Sequence, residues 1–309
     1  MPTRQACIAA ATAALIAPCA FAATPASLMT AKTFTSSDGL TIGYRIHVPA
    51  VATNSTEKVP LVLFLHGAGE RGNDNAIHLI HGVPALLDYI AGGHPAILVA
   101  PQCPANMQWV DAPWGAPANT MAEKPSKPLQ AVIEILEREK AALPVDPSRI
   151  TVTGISMGGY GTWEMLQRFP GQFAAGMPIC GGGDTNLAAR LVNIPLHVVH
   201  GDSDGAVPVS RSRDMVAAIR AAGGKQVEYV EHAGAGHNVW TRTYVDTQNL
   251  AWLFAQPGVV VKAAENTSGL KAVMAPGVRA TGSVAIDESK GGRIIWSGRL
   301  LVMGRPMNT

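Results

Sequence analysis

Residues 150–165 read ITVTGISMGGYGTWEM, and their order decides the fold. Residues 150–155 are a short run of apolar and β-branched side chains, the mark of a strand buried on both faces. Residues 158–169 are long enough for a helix, and Pro170 closes it. Between the two stands Gly154-Ile155-Ser156-Met157-Gly158, a Gly-x-Ser-x-Gly turn in a strand–turn–helix setting. So sharp a turn forces its serine into a strained backbone conformation, and Gly158 and Gly159 let the helix approach the strand. The serine oxygen is presented at a helix N-terminus, where the macrodipole favours developing negative charge. Ser156 is therefore read as a nucleophile.

The same short apolar pattern recurs at residues 61–65, 96–100, 173–179, 196–200 and 226–230. Two further strands, 32–36 and 41–48, flank a Ser37-Asp38-Gly39 turn. Helical stretches over 129–142, 210–222 and 241–255 lie between or after them. Strands alternating with helices predict a mostly parallel sheet covered on both faces, with ligands beyond the carboxyl ends of its strands. One connection, residues 101–126, shows no periodicity and carries Trp109 and Trp114, as functional loops do. Residues 180–194 are too few for a helical lid domain.

The chain has 309 residues, 47% hydrophobic and 15% charged, with a net charge of +2. A sizeable core is possible and disorder is excluded as the main state. Scattered Lys and Arg give no nucleic-acid signal. Residues 1–22 read as a signal peptide: Arg4, an apolar stretch over 6–17, then Ala20-Phe21-Ala22. Cleavage before Ala23 places the protein outside the cell or in the periplasm, and no later segment is apolar enough for a membrane span. It also removes Cys7 and Cys19. Cys103 and Cys180 remain in an oxidising compartment and are expected to bridge. That bridge requires segments from strands roughly 14 Å apart to lean together. Residues 23–256 are read as the catalytic domain. The tail, 257–309, has seven Lys or Arg against three acids. It reads either as a hairpin with 293–302 as its best strand or as a loose attachment.

A serine needs a base and an acid. Asp204, four residues past His200, is the expected acid, and Asp202 is expected to tie its loop together. The base is His237, in Gly234-Ala235-Gly236-His237, with His232 as rival. The oxyanion donors are expected to be the Met157 and Ala68 amides, with Gly69 second to Ala68. Glu70 and Arg71 are expected to pair and fix that loop, with Glu70 also a candidate substrate contact. Trp240 is a candidate pocket wall, Trp109 and Trp114 candidate substrate contacts, and Trp163 core. His78 and His81 are spaced H-x-x-H but lack partners at metal-site spacing, so no metal is expected.

LFLHGAGERGNDN, APQCP, GISMGGYGTWEM, FAAGMPICGGGD, HGDSDGAVPV and GAGHNVW occur in this order. Over residues 32–256 the chain resembles the esterase branch of the α/β-hydrolase fold. The group most similar to it is the secreted carboxylesterases often labelled "predicted peptidases", related to feruloyl and polyhydroxyalkanoate-depolymerase-like esterases. The resemblance implies a central, mostly parallel eight-stranded sheet and carries Ser156, Asp204 and His237 over as a triad. The expected function is a secreted serine carboxylesterase acting through an acyl-enzyme, without cofactor. Its expected substrates are short-chain or aryl/feruloyl-type esters, small or polymer-linked. A serine peptidase of the same fold is the alternative.

Overall fold

The computed structural model describes residues 24–54, 57–256, 278–287 and 293–302. The expected leader and its cleavage point lie outside them. In chain order the elements are α1 Pro25–Leu28, β1 Thr30–Thr35, β2 Thr41–His47, α2 Ala50–Asn54, β3 Val59–Leu65, α3 Val83–Ala91, β4 Ile97–Pro101 and α4 Lys127–Ala142. There follow β5 Val145–Ile155, α5 Met157–Arg168, β6 Ala175–Ile179, β7 Leu196–Gly201, α6 Ser210–Ala221, β8 Val227–His232, α7 Trp240–Val245 and α8 Thr247–Ala255. The eight strands form one sheet in the order β1-β2-β4-β3-β5-β6-β7-β8. Strands β3 to β8 run parallel, while β1 and β2 form an antiparallel edge.

Strand β3 is the first parallel strand and has β4 on one side and β5 on the other, so the order reverses there. A crevice opens at the carboxyl ends of such neighbours. The side chains of β3 alternate between two cores. Leu61, Leu63 and Leu65 join one, with α4, α5 and α6; Val62 and Phe64 join the other, with α3, Tyr244 and Leu253. That is why the strand reads as a continuous apolar run: both faces are covered.

Helix α4 begins where Ser126 Oγ accepts from Leu129 N, with proline in its first turn, where a missing N–H costs nothing. The stretch 241–255 is two helices, not one. Asp246 is extended (φ −73°, ψ 108°), ends α7, and caps α8 by accepting from Gln248 N at 2.9 Å. Helix α3 had not been anticipated, although Val83, Leu86, Leu87 and Ile90 bury one face at helical spacing.

Residues 180–194 hold only a 3-10 turn, Thr185–Leu191. The long connection 102–126 has neither helix nor strand, yet it is pinned along its length. Tyr160 Oη donates to Trp114 O (2.8 Å), Arg211 Nη1 to Pro117 O (3.0 Å), Arg168 Nη2 to Ala122 O (2.7 Å), and Met121 N to Asp184 Oδ2 (2.9 Å). Among the described residues no helix is long and apolar enough to cross a membrane. In the tail, β9 Val278–Asp287 and β10 Arg293–Val302 pair antiparallel, from Val278↔Val302 to Asp287↔Arg293. This is the hairpin alternative, and it forms a separate compact unit.

The close contact between α5 and β3 yields a prediction. A Cβ on Gly158 would stand 1.9 Å from Leu65 O and 2.8 Å from His66 O, both backbone atoms. Gly158→Ala should lower stability by more than about 3 kcal/mol or prevent folding, as overpacking against rigid backbone does. Gly171→Ala, with nothing within 4 Å, should stay within about 1 kcal/mol. Urea denaturation of both variants checks this, and equal midpoints would contradict the packing described.

Candidate active site

Ser156 joins β5 to α5 and is the N-cap of the helix, at φ 53° and ψ −116°. A serine in the left-handed half of backbone space costs of order 1–3 kcal/mol and persists only where its surroundings over-determine it. Here Ser156 N donates to Ile179 O at 2.8 Å, and Gly154 and Gly158 pack backbone to backbone beneath it. Its hydroxyl faces His237 Nε2 at 2.8 Å. On the other side of the ring, His237 Nδ1 stands 2.6 Å from Asp204 Oδ2. A carboxylate only accepts, so Nδ1 carries the proton and Nε2 is free to accept from Ser156. The structure thus brings Ser156, His237 and Asp204 together from the ends of β5, β8 and β7.

Asp204 is held by three hydrogen bonds and a close histidine. Its Oδ1 accepts from Ala206 N (2.8 Å) and Val207 N (2.9 Å), and Oδ2 faces both His237 and His200 Nε2, the latter at 3.2 Å. Burial by itself raises this carboxyl's pKa. His200, His237 and the two amides overcome that and hold it well below the usual carboxylate range. Asp202 has the role expected of it: Oδ1 accepts from Ser203 Oγ and Gly234 N, both at 2.8 Å, tying the loop after β7 to the loop after β8. His232 closes β8, in register with Gly201.

Met157 N is the first amide of α5, and Ala68 N the first of the 3-10 turn Ala68–Glu70. Such amides have no partner within their own helix. The two segments meet where Gly158 lies against Leu65 and His66. Buried His66 sets the loop that carries Ala68. Its Nε2 accepts from Cys103 N (2.9 Å), so its proton is on Nδ1, which donates to Gly67 O (2.6 Å). Burial lowers its pKa to about 3, and that of His78, whose Nε2 donates to Ala100 O, to about 4.

Several expectations need correction. Trp109 is no substrate contact: it is fully buried, and its Nε1 donates to His66 O at 3.0 Å. It holds His66, before the loop that carries Ala68, from behind. Glu70 does not pair with Arg71 but faces His81 Nε2 at 3.8 Å, and its Oε2 is buried without a partner. Arg71 instead donates to Ala68 O and Met107 O and lies over the half-buried Trp114 ring. Cys103 and Cys180 are free thiols. They belong to the cores on opposite faces of the sheet, so no lean of the flanking segments joins them. Burial pushes both thiols up, that of Cys103 to about 12.

Trp240 opens α7, and its ring meets the His237 ring edge to face (5.1 Å, 89°). Trp163 is fully buried, as expected. Two residues escaped the sequence reading. His200 touches the acid, and its signal was the i, i+4 spacing to Asp204. Cys180, at φ 49°, donates its thiol to His237 O at 3.3 Å. Cys180, Asp204 and His237 offer ligand atoms within 4.8 Å of one another.

Neutral His66 and His78 make stability pH-dependent. An unfolded histidine titrates near 6.5. Between there and about pH 4 the unfolded chain binds protons that folded His66 and His78 refuse, so stability rises with pH and is lost as pH falls. Urea unfolding at pH 7.5 and pH 5 should differ by about 2 kcal/mol for each of the two. The depressed carboxyl of Asp204 contributes only to losses at still lower pH. A His66→Asn variant should show a shallower slope; an unchanged slope would mean that His66 is charged in the fold.

No curated protein sequence matches the chain. Among solved structures, a thermostable esterase is similar at a TM-score of 0.67 and 38% identity, over 74% of this chain and 63% of that one. A ferulic acid esterase aligns at 0.55 and 18% identity, over 73% and 97%. An S-formylglutathione hydrolase from Agrobacterium tumefaciens aligns at 0.54 and 16%, over 74% and 95%. At such identities the last two show the α/β-hydrolase fold alone. Residues 47–250 match the phospholipase/carboxylesterase family. With more than half of its length so matched, the chain belongs to the phospholipase/carboxylesterase family of the α/β-hydrolase fold.

Proposed function

We propose that this protein is a secreted serine carboxylesterase. The observation that carries the reading is the unbroken hydrogen-bonded series from Ser156 Oγ through His237 to Asp204. In the reaction Ser156 Oγ attacks the ester carbonyl carbon while its proton passes to His237 Nε2. The carbonyl oxygen takes the electron pair and is held by the Met157 and Ala68 amides. Collapse of this intermediate breaks the C–O bond, and His237 gives its proton to the departing alcohol, leaving an acyl-Ser156 ester. Water, deprotonated by His237, then releases the carboxylic acid and restores the serine. Asp204 stays ionised throughout, keeping His237 in the tautomer whose Nε2 accepts.

We infer short-chain and aryl esters as its substrates, a reading supported by the aromatic rings near the triad. Trp240 stands against His237, the Trp114 ring lies under Arg71 in the loop after β3, and Glu70 contributes an unpartnered oxygen beside Gly67. Export rests on residues 1–22, and the first residue of the protein recovered outside the cytoplasm should be Ala23. Amino-terminal sequencing that finds Met1 or Pro2 there would remove this part of the proposal.

Ser156→Ala should abolish turnover of acetyl, butyryl and feruloyl esters, leaving at most the roughly 10³–10⁴-fold over water that a site without a triad member retains. Asp204→Asn should be far more damaging than Asp202→Asn, since only Asp204 touches the base. Steady-state kinetics on this ester panel, beside peptide anilides, measures both. A Ser156→Ala variant with a tenth of wild-type activity would sink the assignment, and anilides cleaved as fast as esters would make the protein a peptidase.

A further inference from the structure

The carboxylate of Asp204 carries two histidines on one oxygen. His237 Nδ1 lies 2.6 Å from Oδ2, and His200 Nε2 lies 3.2 Å from the same atom. His200 is on β7, four residues before Asp204, and is fully buried. What faces it fixes its Nε2 proton. The carboxylate oxygen and Val207 O, the latter at 3.0 Å, can only accept. The other ring nitrogen, Nδ1, is 2.8 Å from Ser212 Oγ, itself 3.4 Å from Gly181 O. Ser212 is fully buried in the first turn of α6. A single series of contacts therefore runs from the nucleophile through His237, Asp204 and His200 to Ser212.

We propose that His200 is a positioning residue for ester hydrolysis: its Nε2–H, which donates to Val207 O at 3.0 Å and lies 3.2 Å from Asp204 Oδ2, holds the turn that carries Asp204 at the place from which His237 is oriented, and Ser212 fixes the His200 ring. The proposal rests on the reading of Ser156, His237 and Asp204 as the catalytic series. Rotation of the Asp204 carboxyl is restrained at Oδ1 by two amides of its own loop, Ala206 and Val207. At Oδ2, His200 is the group that approaches from the sheet, its Nε2 3.2 Å away. Without it, Oδ2 faces a void and one unsatisfied lone pair, and the carboxylate swings or draws in water. Burial alone does not call for a histidine here, since its β7 neighbours Val198 and Val199 are apolar. Glu231, opposite His200 in register on β8, is engaged by Arg213 and Tyr229.

The test compares His200→Leu, which removes the donor, with His200→Gln, whose longer amide restores an N–H at similar reach. Active sites are titrated so that misfolded protein does not count. For His200→Leu, kcat on a butyryl ester should fall about 10- to 100-fold, the range expected for losing a hydrogen bond to a charged group, with KM within about twofold. His200→Gln should recover most of kcat. A titrated His200→Leu within about threefold of wild-type kcat, or a Gln variant no better than Leu, overturns the proposal, because a purely structural role lowers the active fraction and not kcat. Should His200→Leu fail to fold, Ser212→Ala must lower kcat in the same direction. Independently, wild-type protein with ¹⁵N-labelled histidine should show protected imidazole N–H protons for His237 Nδ1 and His200 Nε2, the latter assigned by its loss in His200→Gln, and Asp204→Asn should move both while leaving that of His66 in place. A His200 Nε2 proton that Asp204→Asn leaves in place overturns the assignment even if kinetics cannot be read. A wild type that hydrolyses no ester would refute the functional reading, while the NMR measurement would still decide what His200 does.

Discussion

Where α5 leaves β5 it crosses the end of β3 so closely that the Leu65 carbonyl oxygen lies 1.9 Å from the place a Cβ of Gly158 would occupy. No side chain fits there, and most of the site follows from that contact. It holds the start of α5 down on the sheet and so leaves Ser156, one residue earlier, no relaxed conformation: φ stays at 53°. It brings the first amide of α5 beside the loop that follows β3, whose Ala68 amide also lacks a helical partner. Two unspent donors and a strained hydroxyl come from segments distant in sequence because β3 and β5 are neighbours in the sheet. That adjacency is itself the reversal of strand order that opens a crevice at this edge.

Electrostatics completes what packing begins. The buried site keeps one carboxylate charged and one histidine neutral, by opposite means. Asp204 is buried, which disfavours its charge, yet three hydrogen bonds and a close histidine surround it and the charged form prevails. His66 is buried with an N–H pointing at its Nε2, so a second proton there would meet a donor instead of an acceptor. The first arrangement keeps an acceptor ready for His237; the second fixes the geometry of the Ala68 loop. Glu139, buried on α4, accepts from Tyr44 Oη and Lys32 Nζ. The long connection after β4, although irregular, is fastened at Pro117, Trp114, Met121 and Ala122. It therefore behaves as a fixed wall and not as a lid.

The fold was legible in the chain because its strands are covered on both faces and its turns carry glycine and proline at fixed places. Residues 61–65 and 150–155 are apolar whatever their neighbours, so their strands are local facts. The nucleophile, the base and the acid were legible for a related reason. The Gly-x-Ser-x-Gly turn, the Asp204 loop and the Gly234–His237 stretch each follow a strand, and strands of a parallel sheet end at one edge. Helix α3 and the break at Asp246 were less legible. A nine-residue face just after the 3-10 turn Ile77–Leu79, and a single capping aspartate inside a helical pattern, are weak local signals.

Side-chain partnerships were decided only by tertiary structure. Trp109 sits in a loop, and a loop tryptophan reads as exposed, yet the fold turns it inward onto His66. Glu70 and Arg71 are adjacent in the chain and opposite in charge, yet a 3-10 turn sends one toward His81 and the other toward Trp114. Cys103 and Cys180 both follow strands at the same edge, yet they enter cores on opposite faces of the sheet. His200 reads as one more strand histidine until the turn after β7 folds Asp204 back onto it. Sequence determined which residues stand at the catalytic edge, because the strand period and turn chemistry are properties of a few consecutive residues. Which of those residues touch was decided by the stacking of α5, α6 and the loops over the sheet, because a contact between segments separated by 30 or 80 residues depends on the path of the chain between them.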